Sequence, residues 1–186
     1  MHKRISFSLV VFLFVLLITC STSFAAENTS VIPGVGTLTF PSGTEILPNQ
    51  LQTNAVGNTL FVNDNDIWRS INISFISIPS SSLNREMLMQ NTDALESAFN
   101  TSIAKQVQKD NYRLLSNNPI NKVAIYNEQL IIKNIKYLIP NGAIVRFNYY
   151  IIDGTGGLVR MTTIHTDCDS NYWTPIIAKM IADIKR

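Results

Sequence analysis

The chain has 186 residues, of which 15 are lysine or arginine, 13 are aspartate or glutamate, two are histidine and two are cysteine. Charged residues make up only 15% of it, and no Lys/Arg cluster of the kind that tracks a phosphate backbone occurs, which argues against nucleic acid as a partner. Hydrophobic residues make up 46%, enough for one domain that is stabilised by an apolar core rather than by staples.

The first element is an address. Lys3 and Arg4 precede an uncharged apolar run over residues 5–18 and a small, polar stretch over residues 19–26, the anatomy of an export signal. A helix of about fourteen residues rising about 1.5 Å each covers about 21 Å, against a hydrocarbon core about 30 Å thick. That is too short for a comfortable permanent anchor. Ser23 and Ala25 supply small residues for a cut after Ala25, so residues 1–25 are expected to leave and residues 26–186 to form a single domain. Leu17-Ile18-Thr19-Cys20 also resembles the lipobox of bacterial lipoproteins, and that resemblance implies a leader of residues 1–19, lipidation at Cys20 and a membrane tether. Thr19 departs from the Gly, Ala or Ser which that pattern prefers before the cysteine. The expected location is secreted or periplasmic, with a membrane-anchored lipoprotein as the alternative.

Removing the address removes two basic residues and no acidic ones, leaving 13 of each sign and a formally neutral domain. Cys168 is then the only thiol able to react and His165 the only histidine, so neither an intramolecular disulfide nor a His/Cys zinc cage can form within the chain.

Residues 27–33 read as a polar lead-in, residues 37–40 as a short strand closed by Pro41-Ser42-Gly43, and residues 47–59 as an irregular stretch rich in Asn and Gln. Along residues 67–78, Ile71, Ile73 and Phe75 alternate with Ser70, Asn72 and Ser74, the period of a half-buried strand. Ile76 and Ile78 then change face, which suggests a bulge or the end of the sheet contact. After Pro79, a helix capped by Ser81 or Ser82 carries Leu83, Met87, Leu88, Leu95, Ala98, Phe99 and Ile103 as one apolar stripe, expected to lie across a sheet.

The second half reads as a meander. Residues 112–115 and 122–126 are short strands, and residues 129–139, 143–153 and 158–166 are long ones joined at Pro140-Asn141-Gly142 and Gly154-Thr155-Gly156-Gly157. Val145, Phe147, Tyr149 and Ile151 share one face and Arg146 and Asn148 the other, so one face is expected on a core and the other toward water or a partner. A last helix over residues 171–185, capped by Asp169 or Ser170, presents Trp173, Ile176, Ile177, Met180, Ile181 and Ile184. The expectation is an α+β fold, an antiparallel sheet of about six strands covered by two main helices.

This order of elements, from the opening strand and Pro-Ser-Gly turn at residues 37–43 to the closing Ile181-Ala182-Asp183-Ile184-Lys185-Arg186, resembles the Mog1/PsbP-like α/β/α sandwich, including its small bacterial secreted and lipoprotein members. The aromatic expected after the opening turn is replaced by Thr44-Glu45-Ile46. The resemblance implies an accessory or binding role rather than a reaction.

One segment combines groups with chemical potential: His165-Thr166-Asp167-Cys168-Asp169, where a strand gives way to the last helix. A thiol enzyme would use Cys168 with His165, but two flanking carboxylates oppose a thiolate, and Asp167 and Asp169 read as turn and capping residues. A cation held by Asp167 and Asp169, with Asp153, lacks the spaced ligands of a calcium loop. The expectation is therefore an exported non-enzymatic accessory or binding protein that needs no cofactor or metal and contacts a protein or envelope component. Trp68, Arg69 and Tyr150 are the candidate contact residues, because each joins apolar area to a polar tip. Carriage of a small hydrophobic ligand between sheet and helix is the alternative, suggested by the excess of Ile, Phe and Met over charge.

Overall fold

Residues 28–48, 57–64, 69–78, 85–125 and 128–185 are described by a computed structural model. A hairpin of β1 (Asn28–Ile32) and β2 (Gly36–Phe40) comes first. The main sheet is built from β3 (Thr44–Pro48), β4 (Gly57–Asp64), β5 (Arg69–Ser77), β6 (Arg113–Asn117), β7 (Asn121–Ile125), β8 (Glu128–Leu138), β9 (Ile144–Gly154) and β10 (Gly157–Thr166). Its order is β3-β4-β5-β10-β9-β8-β6, with β7 also on β8, and among the described residues its pairings are all antiparallel. Between β5 and β6 come α1 (Arg85–Gln90) and α2 (Thr92–Asp110), and after β10 a 3-10 turn (Asp167–Asp169) leads into α3 (Ser170–Ala182).

Among the described residues the main sheet has eight strands, more than the six expected. The lead-in is itself a strand, because Asn28 to Ile32 finds a ladder partner in β2, and Thr44-Glu45-Ile46 opens a strand that pairs with β4. Neither shows the clean alternation that marks β5. The expected single long helix is two, broken at Asn91, whose φ of −110° and ψ of 45° leave the helical region. Asn is a favoured N-cap, and the residue restarts the helix rather than continuing it. The proposed caps Ser81 and Ser82 lie outside the described residues.

The sheet is the middle layer of three. Successive residues of β10 go to opposite sides: Val159 and Met161 join Trp173, Ile177, Met180 and Ile181 of α3 in one core, whereas Leu158 joins Leu88 of α1 and Ile164 packs toward Phe99 and Ile103 of α2. The expectation that one face of β9 meets water is thus overturned. Phe147 and Ile151 face the α2 side while Tyr150 and Ile152 are equally buried on the α3 side. The β1–β2 hairpin completes the α3 layer with Ile32, Val35, Leu38 and Phe40. Beyond α3 the chain runs back along this hairpin, where Thr37 and Lys185 exchange backbone hydrogen bonds of 2.9 and 3.3 Å.

No bulge interrupts β5, whose register against β10 and β4 is continuous. Ile71, Ile73 and Phe75 are buried beneath the α3 layer, and the switch at Ile76 marks where the opposite face comes under α2. No helix among the described residues is long and apolar enough to cross a membrane.

Candidate functional site

The α3 side of the sheet changes from apolar to polar in rows set by the register. Phe75, Met161, Tyr150 and Ile132 lie opposite one another across four strands; the next row is Ile73, Thr163, Asn148 and Asn134; the next is Ile71, His165, Arg146 and Lys136. A one-residue offset in any strand would send these polar groups to the other face. The rows therefore gather the polar side chains at the end of the sheet where β10 enters the 3-10 turn.

There Asp167 receives Arg146, with Nη2 at 2.7 Å and Nε at 3.0 Å from Oδ1, and Lys136 Nζ at 3.2 Å from Oδ2. The Arg146 guanidinium holds the Asp167 carboxyl below its ordinary range, with Lys136 adding to it against the opposing effect of burial. Asp169 pairs with Arg69 Nε at 2.9 Å and accepts the Thr166 hydroxyl. Arg69 also lies 4.8 Å from the centre of the Tyr172 ring, a cation–π contact, and the Tyr172 hydroxyl donates to Asp64.

His165 is 4% exposed and both of its ring nitrogens are engaged. Nδ1 lies 2.8 Å from the Thr166 carbonyl and Nε2 lies 3.2 Å from Asn148 Nδ2, which also donates to Thr163 Oγ1 at 3.2 Å. A carbonyl can only accept and an amide nitrogen can only donate, so the ring is neutral with its proton on Nδ1. Burial lowers its pKa, which the Thr166 carbonyl opposes and the Arg146 charge reinforces; Asp169 and Asp167 pull the other way. As pH falls below 6.5 the unfolded imidazole takes up a proton before the native one does, so stability falls over that window and is constant above it. Asp167 and Glu96, whose native carboxyls are held low, lose their contributions only as pH falls further, below their ordinary values of 3.8 and 4.5. The urea midpoint should therefore drop between pH 7.5 and pH 5, and His165→Gln should flatten that slope while leaving the steeper acid limb.

The sequence candidates separate on this structure. Cys168 is exposed, yet its Sγ contacts Thr166 Oγ1 at 3.4 Å, and His165 has both nitrogens committed elsewhere, so the two do not form a nucleophile and base. Asp153 pairs with Arg85 at 2.9 Å at the opposite end of β9 from the Asp167 cluster, which separates the three carboxylates of the suggested cation site. Among the described residues no three His, Cys, Asp or Glu side chains gather as a metal-binding group. Tyr150 is corrected as a contact residue: it is 7% exposed in the α3-side core, where burial pushes its hydroxyl up to about 12 despite a bond with Thr163. Trp68 and Cys20 lie outside the described residues. Arg69 remains at the surface, held by Asp169 and Tyr172.

A second feature lies on the other side of the sheet. Leu95, Ala98, Phe99 and Ser102 of α2 overhang Ile76, Ile78, Ile151 and Arg160, enclosing an open recess of about 290 Å³. That volume stands at the small end of ligand pockets, which run from about 300 to 1,000 Å³. Among the described residues its walls are apolar apart from two serines and Arg160, whose Nε is buried without a hydrogen-bond partner. Sequence reasoning passed over Arg160 and the fully buried Lys133 alike. The signal for each is phase: Lys133 shares the strand face of Ile131, Ile135 and Tyr137, and Arg160 falls on the face of Leu158 and Ile164.

No family model matches the chain, and no curated protein matches it. Among solved structures it is similar to cyanobacterial PsbP from Synechocystis sp. PCC 6803, with a TM-score of 0.53 at 9% identity over 88% of this chain and 94% of that one. A protein of unknown function from Pseudomonas aeruginosa matches with a TM-score of 0.36 at 10% identity over 86% of this chain and 96% of that one, and bears on nothing further. The first likeness establishes a PsbP-like fold.

Proposed function

We propose that this chain is an exported binding protein with no catalytic chemistry of its own. The observation that carries the reading is the recess under α2, a concave apolar site with a single cation among the described residues of its lining. The polar groups at the sheet end support it from the other side, because each of Asp167, Asp169 and His165 is taken up by a neighbour rather than left to act on a substrate. Within the binding class, carriage of a small hydrophobic ligand between sheet and helix is favoured over contact with a protein, since Tyr150 is buried and the charge of Arg69 is matched by Asp169.

Contact with a protein or envelope component is the second reading, supported by the 37% exposure of the Arg69 side chain against the Tyr172 ring. Export itself has a direct test. Expressed in a bacterium that processes lipoproteins, the protein should be recovered from the envelope or medium with an intact mass that begins at Ala26 or at a diacylglyceryl-modified Cys20. The first mass means a diffusing carrier and the second a tethered one. An uncleaved chain in the cytoplasm would remove the proposal's first term.

A further inference from the structure

We infer that the recess under α2 takes a small acidic amphiphile, a short apolar chain ending in one carboxylate, and that Arg160 receives the head. The inference rests on the binding-protein reading and names the ligand class of that same site.

Arg160 lies on β10 directly between Ile76 of β5 and Ile151 of β9, facing α2. Arg160 is half-buried, and its Nε, between two isoleucines under a helix, has given up its water, a cost that ordinarily requires a partner. The other cations drawn into the fold have one: Arg69 meets Asp169, Arg85 meets Asp153, Arg146 and Lys136 meet Asp167, and Lys133 meets Glu96. Among the described residues no carboxylate pairs with Arg160, and its Nε is buried unbonded.

The recess opens onto this group, which among the described residues has the Tyr149 hydroxyl near it and no carboxylate, so an entering molecule can supply the counterion. A carboxylate matches the planar donors of a guanidinium in charge and shape. Its apolar chain would lie against Leu95 and Ala98, above the buried Phe99 ring, and displace water from them. One cation in the lining selects one negative charge, and about 290 Å³ selects a short chain. A neutral alcohol of the same length would fill the apolar part and leave the cation unmatched.

Titration calorimetry of the exported protein with octanoate and with octanol at neutral pH separates these contributions without any variant. Octanoate is expected to bind at least tenfold more tightly than octanol. Arg160→Gln should abolish that preference while keeping the weak octanol binding, and Ala98→Phe, on the helix wall, should weaken both ligands. Equal affinity for acid and alcohol in the unmodified protein would overturn the assignment of Arg160 and leave the recess as an apolar site. Binding of neither would overturn the recess as a binding site, and with it the reading on which the inference rests.

Discussion

Replacing Glu96 with glutamine is expected to destabilise the fold by about 3 kcal/mol, and to do so more than replacing Lys133, its partner, with methionine. The asymmetry follows from burial. The Lys133 side chain is fully buried on the α2 side of β8, whereas the Glu96 side chain on α2 keeps 27% of its surface. Glu96 accepts the Lys133 ammonium on one oxygen and the Ile120 amide, at 2.8 Å, on the other, so it ties the helix to β8 and to the segment before β7. Burial alone would push its carboxyl up; the Lys133 and Ile120 bonds and the Lys133 charge outweigh that and hold it below its ordinary value.

Glutamine keeps the shape and removes the charge, which leaves an ammonium in an apolar layer with no counterion. Breaking a buried pair from one side costs about 3–5 kcal/mol, and the partial exposure of Glu96 argues for the lower figure. Methionine at position 133 fills the lysine's apolar channel, and the carboxylate left behind still has the Ile120 amide and water, so a cost of about 1 kcal/mol is expected. The double variant should be more stable than Glu96→Gln alone, because the stranded charge is gone. Urea unfolding of the four proteins gives the comparison. A Lys133→Met cost larger than that of Glu96→Gln would mean that the carboxylate, not the ammonium, is the group left without solvent.

That pair also shows what the sequence can and cannot specify. The alternation of Ile71, Ile73 and Phe75 placed β5, and the stripe from Trp173 to Ile184 placed α3, because both bury one side in a regular period. The turns at Pro140-Asn141-Gly142 and Gly154-Thr155-Gly156-Gly157 fell where expected, with Gly142 at φ 85° and Gly157 at φ 132°. The layer count was harder to read. Strand β9 carries Tyr150 and Ile152 among polar residues, so the burial of its second face depends on α3 and the distant β1–β2 hairpin rather than on local pattern. Arg146, Asn148 and His165 were each visible as polar residues in strands, but their meeting depends on the register of β9 against β10, which no single strand encodes. The switch at Ile76 was legible and its meaning was not: it records the edge of α2, and that edge is the candidate recess.

The second large effect is expected at Gly154, the last residue of β9. A Cβ there would overlap the Gly34 carbonyl oxygen and come within 2.7 Å of Val159 Cγ2. Gly34 lies in the turn between β1 and β2, and the Thr155 amide donates to its carbonyl at 3.0 Å, so two hairpin turns are pressed together backbone to backbone. A flexible side chain could yield to a methyl group, but a carbonyl held at both ends of a tight turn moves only with its hairpin. Gly154→Ala should therefore cost about 3 kcal/mol, the upper end for overpacking. Gly156→Ala in the same turn is the control: nothing lies within 4 Å of its added methyl, and restricting the unfolded chain should make it neutral or slightly stabilising. Hydrogen exchange would locate the loss, with the Val35 and Thr37 amides of the displaced hairpin opening first and β8 and β9 little affected. The location bears on the proposed export, because β1 holds the first described residues of the chain, and a tether attached N-terminal to it would pull on this hairpin first. Equal stability of Gly154→Ala and Gly156→Ala would mean that the two turns are not in contact and that the α3-side core holds without them.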